Sequence, residues 1–587
     1  VALWICVALA DGVKAADPLF DLEAIQKDPV EEKVLSTETV EGVVFQEVEY
    51  TSRVVNGAPE RVQGILAFPE GGKKLPGVFW SMGGMAPASR FFPGLLAKKG
   101  YACLAVTLPH KLRNSFLVPF NTKDPASANL TLLARDQLRG ITLLSQRPEV
   151  DPDRLAVAGA SYGGVFATLI AGADPRIKAG FSFFGGGHHE LGTNLPQFQK
   201  METLEDVETW GRTIDPAFRL KQKAIPFLWG IAFNDQWFFF PAVTRTFMEA
   251  AGTEKRAFIM PHWRHGFPPE IDETLFNFLD TTPVAAKPRP AYNSPGPVTV
   301  REEGGRAVAS FEWTGGNAAA KAEVVVSYGE DTPWFGWTHR AAFILPASVE
   351  GKRATARIPV PSRQLPLIAW GNLTDANGFL VSTPPLVLGP AELAKLPEEA
   401  SLDLNCFVDG DLGEKAQDFY QRAGDPLLGK PEKDAACSGG QSWRVDPVAN
   451  EATPGKRGKR APSRFTIRLF HQVPGLAHRL TVRLKAERPT SLSVRLLPVR
   501  PPQWASAAVK LLVAKDPRLA PLLPRWADPV EPLVATANAG PEWQDVALDV
   551  PKPAGPIDGH VLEVVEAPEN QTTYWIDTVR MQPVWRN

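Results

Sequence analysis

The sequence predicts an α/β fold, a mostly parallel sheet with helices on both faces, followed by two β-sandwich domains. From about Phe45 to Asp280, short continuous apolar runs alternate with amphipathic stretches, the pattern of strands buried on both faces between helices. A Pro-rich stretch, Thr281 to Pro297, then interrupts the pattern, with the composition of a stiff linker. Of the 55 prolines, 21 fall before residue 284 and 34 after it. Interior proline costs a helix about 3 kcal/mol, so the second part is read as strands joined by Pro-rich loops. A chain of 587 residues exceeds one ordinary core. With 44% hydrophobic and 22% charged residues it is neither wholly disordered nor collagen-like. A net charge of -2 argues against a chain-wide electrostatic hold on nucleic acid.

Taken in order, residues 1–16 read VALWICVALADGVKAA, an apolar run ending in small residues. It is short for a bilayer span, and the small-x-small site Val13-Lys14-Ala15 suits a cleaved export signal. A periplasmic or secreted protein with no stable membrane insertion is therefore expected. Residues 17–44 read as an N-terminal arm. Residues 45–280 carry strand-like segments at Gly64–Phe68, Gly77–Trp80, Ala102–Val106, Leu155–Ala158, Ala179–Phe184, Pro226–Trp229 and Arg256–Met260. Helix candidates lie between them at Pro93–Lys99, Leu130–Gln146, Gly163–Ala171 and Val243–Ala251, with Pro269–Leu279 last. After the linker at 281–297, residues 298–390 read as a small sandwich of the immunoglobulin or fibronectin kind. A helical connector, Ala391 to Ala400, opens a second, jelly-roll-like sandwich spanning 391–587. Cys103 lies in an apolar run and reads as a core thiol; Cys406 and Cys437 are disulfide candidates in an exported chain. No C-x-x-C or clustered His/Cys set is present, so neither metal nor organic cofactor is expected.

The sharpest chemical feature is Gly159-Ala160-Ser161-Tyr162-Gly163, a G-x-S-x-G between an apolar strand and a helix. A serine on such a tight strand-to-helix turn is exposed as a nucleophile, and the Tyr162 backbone N–H can donate to an oxyanion at the helix N-terminus. The alternative is an ordinary Gly-rich turn with a structural serine. A serine nucleophile needs a base, and the base an orienting acid. Asp235 follows the strand ending at Gly230 and is the candidate acid, its bland alternative being an Asx turn. His265 follows the last strand and is the candidate base, because Gly266 permits a loop that lets the ring reach back. His262 competes, but it directly follows the strand and reads as a wall residue. Trp80-Ser81-Met82-Gly83-Gly84 follows an earlier strand and supplies the second oxyanion donor, assigned to Gly83 with Met82 as the alternative. His110 and His188 follow other strands and, with Trp237, Phe238, His262 and Trp263, are candidates for the pocket wall. Packing is the default role of the aromatics.

These segments resemble the α/β-hydrolase superfamily. Gly159-Ala-Ser-Tyr-Gly-Gly164 resembles both the acetyl xylan esterase and dienelactone hydrolase-like groups and the catalytic domain of prolyl oligopeptidase-type peptidases. Phe233-Asn-Asp-Gln-Trp-Phe-Phe239 with the later Arg264-His-Gly266 resembles PhoPQ-activated pathogenicity-related proteins. Oligopeptidases carry a large propeller before the hydrolase domain, whereas here the extra β material follows it. The resemblance thus implies a serine hydrolase cleaving carboxylic esters, with a decorated polysaccharide as substrate class and a peptidase or a non-catalytic binding protein as alternatives. Near the end, Trp575-Ile-Asp-Thr-Val-Arg580 and Glu542-Trp-Gln-Asp-Val546 resemble closing strands of carbohydrate-binding jelly rolls. That resemblance makes Trp543, Tyr574 and Trp575 alternative members of a sugar platform, against a purely structural sandwich.

Overall fold

The structure is a computed structural model that describes residues 19–84, 86–108, 121–191, 203–268, 271–290, 292–329, 337–399, 407–408, 430–433, 442–446, 464–469, 472–499, 531–552, 559–566 and 572–585. The export segment, His110, Cys406 and Cys437 lie outside them. Among the described residues no helix is long and apolar enough to cross a membrane.

A nine-stranded sheet organises the first part. Its strands are β1 (Lys33–Val40), β2 (Val43–Val55), β3 (Ala58–Pro69), β4 (Leu75–Ser81), β5 (Ala102–Thr107), β6 (Val150–Ala160), β7 (Ile177–Phe183), β8 (Phe227–Ala232) and β9 (Lys255–Met260). They lie in the order β1-β2-β3-β5-β4-β6-β7-β8-β9. β1 to β3 pair antiparallel, β3 joins β5 antiparallel, and the rest are parallel. The central strands are buried and mostly apolar over most of their length, as from Leu155 to Ala160 of β6, because helices cover both faces. The sheet starts within the segment read as an arm. β1, exposed along its whole length, carries Lys33 and Glu38, charges that suit an unshared sheet edge.

The helices are α1 (Leu22–Gln26), α2 (Phe91–Lys98), α3 (Asn129–Gln146), α4 (Tyr162–Ala173), α5 (Leu204–Thr213), α6 (Pro216–Leu220), α7 (Phe240–Glu249) and α8 (Ile271–Leu279). α3 turns its apolar stripe to the sheet, and Pro148 keeps the helix from running on. From α3, Arg139 donates to the carbonyls of Ile25, Asp28, Pro29 and Thr51, fastening the N-terminal segment to the body.

Two antiparallel sandwiches follow. The first packs a sheet containing Arg306–Thr314 and Arg353–Arg357 against one containing Ala319–Tyr328 and Leu367–Asp375. The second packs a sheet built on His478–Ala486 and Tyr574–Pro583 against one built on Thr490–Pro498 and His560–Glu566. Burial alternates along Thr490–Pro498, with Leu492, Val494 and Leu496 inside, as expected for a strand with one face in a core. The connector expected from Ala391 to Ala400 is shorter as a helix, Pro390–Leu393, because Pro397 cannot continue it. The Pro-rich stretch after α8 is packed, with Val284 and Tyr292 buried and the Tyr101 hydroxyl donating to Asp280.

The first sandwich is built onto the α/β body. Trp337 and Trp370 share a core with Phe233 and Phe240, at ring separations of 5.1 to 5.8 Å. β9, the last strand of the sheet, presents the Ile259 amide to it. The Ile259 N–H donates to Ser382 Oγ at 2.8 Å, and the Ile259 carbonyl accepts from Asn372 Nδ2 at 3.1 Å.

Candidate active site

The Ser161 turn is built by β6 and α4. Ser161 sits between them at φ 60° and ψ -129°, a left-handed conformation that a side-chain-bearing residue adopts only when its surroundings hold it there. Its N–H donates to Phe183 O at 2.8 Å, and its carbonyl accepts from Val165 N in the first turn of α4. Close approach explains the glycines on either side. A Cβ on Gly163 would lie 2.1 Å from Ser81 O, and one on Gly83 would lie 2.6 Å from Ala160 O. Only bare backbone lets the loop after β4 rest against the serine turn. The Ser81 side chain points away from this contact, its hydroxyl donating to Gln137 Oε1 at 2.5 Å from full burial.

The loops after β8 and β9 bring the other two groups together. His265 Nε2 lies 2.9 Å from Ser161 Oγ, and His265 Nδ1 lies 2.8 Å from Asp235 Oδ2. Asp235 is 1% exposed, and its other oxygen accepts the backbone N–H groups of Trp237 and Phe238 at 2.7 and 3.0 Å. The two readings of this aspartate, Asx turn and histidine partner, therefore coexist on separate carboxylate oxygens. The imidazole is bounded by Phe184 and Phe238, with centroids 5.1 and 5.8 Å away, and Phe238 meets Tyr162 edge-on at 5.7 Å. Burial pushes the Tyr162 phenol well above its usual range, so it is neutral. Its backbone N–H opens α4, where the helix terminus adds positive potential.

The remaining wall candidates have diverse positions. Trp237 is 36% exposed. Trp263 donates its indole N–H to Gly266 O at 2.7 Å, tightening the loop that holds His265. His262 turns to the first sandwich: at φ 57° it donates to the Ala342 backbone, and burial lowers its pKa to about 4. Both ring nitrogens of His188 are taken by carboxylates, Glu190 at 3.0 Å and Glu249 at 2.8 Å, so neither is left to meet a substrate. Burial opposes charge on His188, but those carboxylates carry its pKa up to about 9. Glu249 also pairs with Lys221 and Arg245, which makes this an ionic cluster beside α7. Tyr574 is fully buried, while Trp575 and Trp543 lie part-exposed on the outer face of their sheet, with Lys485 over both rings at 5.2 and 4.7 Å.

Sequence reasoning passed over Phe184, Phe267 and Asn234. Phe184 stands at φ 55° against His265, and Phe267, 46% exposed, packs against Phe92 and Phe183. An aromatic two residues after the base was the available signal for Phe267. Asn234 had none, since its side-chain partners are more than a hundred residues away.

Residues 131–183, from within α3 to the end of β7, match the prolyl oligopeptidase family. The chain is an α/β-hydrolase-fold serine hydrolase. Among solved structures, an acetyl xylan esterase from Paenibacillus sp. R4 is 19% identical, with a TM-score of 0.39 over 44% of this chain and 92% of that one. Acetyl xylan esterase 1 from Thermoanaerobacterium sp. JW/SL YS485 is 15% identical, with a TM-score of 0.37 over 44% and 89%. A glucuronoyl esterase from Solibacter usitatus is 15% identical, with a TM-score of 0.34 over 43% and 85%. No curated protein matches the chain.

Proposed function

We propose that this hydrolase cleaves carboxylic esters of carbohydrates, acetyl esters foremost, through an acyl-enzyme on Ser161. The observation that carries the reading is the unbroken line Ser161 Oγ, His265 Nε2, His265 Nδ1, Asp235 Oδ2, with spacings of 2.9 and 2.8 Å. Ser161 Oγ attacks the ester carbonyl carbon as His265 Nε2 takes its proton. Asp235 keeps Nδ1 protonated and stabilises the imidazolium. The carbonyl electron pair moves onto oxygen, held by the backbone N–H groups of Tyr162 and Gly83. Collapse expels the alcohol, which takes the proton from His265, and water then releases the acid by the same path. Exposed aromatic rings at Trp237 and Phe267 favour a substrate with an apolar or sugar face. On the C-terminal sandwich, Trp575 and Trp543 are the candidates for polymer contact, and the composition of residues 1–16 supports action outside the cytoplasm.

A second reading, a peptidase using the same groups, is favoured by the prolyl oligopeptidase match alone. Ser161→Ala is expected to lower p-nitrophenyl acetate turnover by about a thousandfold or more while leaving the circular dichroism unchanged. Turnover equal to wild type would sink the proposal. Fluorophosphonate labelling, followed by acetylated glycans, aryl esters and peptide amides, separates esterase from peptidase, and absence of labelling identifies a non-catalytic chain.

A further inference from the structure

The loops carrying the acid and the base are each tied to one short segment of the first sandwich. Asn234, beside Asp235, is 1% exposed and donates three hydrogen bonds in three directions. Its backbone N–H goes to Trp263 O at 2.9 Å, in the loop that ends at His265. Its side-chain amide goes to Trp337 O and Arg340 O, each at 2.9 Å. Two carbonyl acceptors fix which end of the amide faces them, since an oxygen there would meet two others. His262, three residues before His265, donates to the Ala342 backbone in the same segment. Behind both, Phe233 packs between Trp337 and Trp370. The segment is anchored in turn, with Ala341 N donating to Gln472 O and Gln472 N to His339 O.

We infer that residues 337–342 of the first sandwich position the reaction centre, with Asn234 and His262 as positioning residues that set Asp235 and His265 relative to Ser161. The inference rests on the proposed triad and gives the sandwich a part in turnover that needs no contact with substrate. Adjacent Cα atoms are held about 3.8 Å apart, so displacement of Asn234 passes directly to Asp235. A shift of about 1 Å in a reacting group costs up to about a hundredfold in rate. Neither residue reaches the serine, so substrate affinity is not their concern.

The experiment uses the full chain with active sites counted by fluorophosphonate titration. In Asn234→Ala and the near-isosteric Asn234→Asp, kcat per titrated site for p-nitrophenyl acetate falls by about tenfold to a hundredfold with KM nearly unchanged. A merely structural residue would reduce the titratable fraction or Tm and leave kcat per site alone. That outcome in both variants overturns the inference. Should the Asn234 variants not fold, His262→Gln, which keeps a donor, is compared with His262→Leu, which does not. A lower kcat per site in His262→Leu alone supports the inference, and equal values overturn it. Wild-type protein that neither labels nor turns over defeats the proposed function itself, a result distinct from labelled variants with intact kcat.

Discussion

At the residue scale the site depends on backbone approach as much as on side-chain chemistry. Gly163 illustrates it: a methyl group there would meet both the carbonyl oxygen and the carbonyl carbon of Ser81, at 2.1 and 2.9 Å. Neither can rotate away as a side chain would, so Gly163→Ala must push the loop after β4 from the serine turn. Overpacking of this kind costs about 1–3 kcal/mol. The expected outcome is a drop of that size in urea denaturation, with p-nitrophenyl acetate turnover lowered by about a hundredfold through loss of an oxyanion donor. Unchanged kcat would separate Gly83 from oxyanion binding. The Ser161 turn was legible in sequence because Gly159 and Gly163, which shape it, are its neighbours in the chain. Gly266, and the place of His262 directly after the strand, favour His265 in sequence, and the structure adds a further difference, the bond from His262 to Ala342. That bond, like those of Asn234, joins residues that no local pattern relates.

At the scale of elements, β4 to β9 were legible because burial on both faces leaves a continuous apolar run, whereas α5 and α6, between β7 and β8, were not read. β1 was not, since a strand exposed on both faces has no alternation to read. The junction between β9 and the first sandwich was also hidden, being made by polar side chains on a sheet edge. Ser382 accepts from the Ile259 N–H and donates to Asn372 Oδ1 at 2.6 Å, while Asn372 donates to the Ile259 carbonyl. Together they satisfy an edge that would otherwise be buried without partners. Ser382→Ala leaves the buried Ile259 N–H without its acceptor, a loss of about 1–3 kcal/mol. The expected readout is a lower urea midpoint with faster hydrogen exchange along β9. An unchanged midpoint and protected β9 amides would show that the Ser382 bond adds nothing to the junction beyond its other contacts.

Across the whole molecule, buried histidines set the pH range in which the fold is most stable. His188, ordinarily near 6.5, holds its proton up to about 9 because Glu190 and Glu249 outweigh the burial that opposes charge. Such a histidine stabilises the fold fully below about pH 6.5, and its contribution is lost as the pH rises through about 9. His478, His560 and His262 behave oppositely. Burial, with the nearby His560 and His339 adding repulsion at His478, lowers them to about 3, 4 and 4. Between about pH 6.5 and 4 the unfolded chain takes up protons that the folded one refuses, so stability falls with pH. Asp136 works against this limb. Burial raises its carboxyl to about 6, giving stability that is lost as the pH rises through that value. One carboxylate against three histidines leaves the acid limb downward, and the loss at His188 begins above about pH 6.5, so Tm is expected to be highest near pH 6.5 to 7. His478 Nε2 accepts from Val473 N at 3.0 Å, a bond that a glutamine oxygen can replace. His478→Gln should therefore flatten the acid limb and His188→Gln the alkaline one. Calorimetric scans from pH 4 to 10 test both, and variants that trace the wild-type curve on both limbs would remove these histidines as its cause.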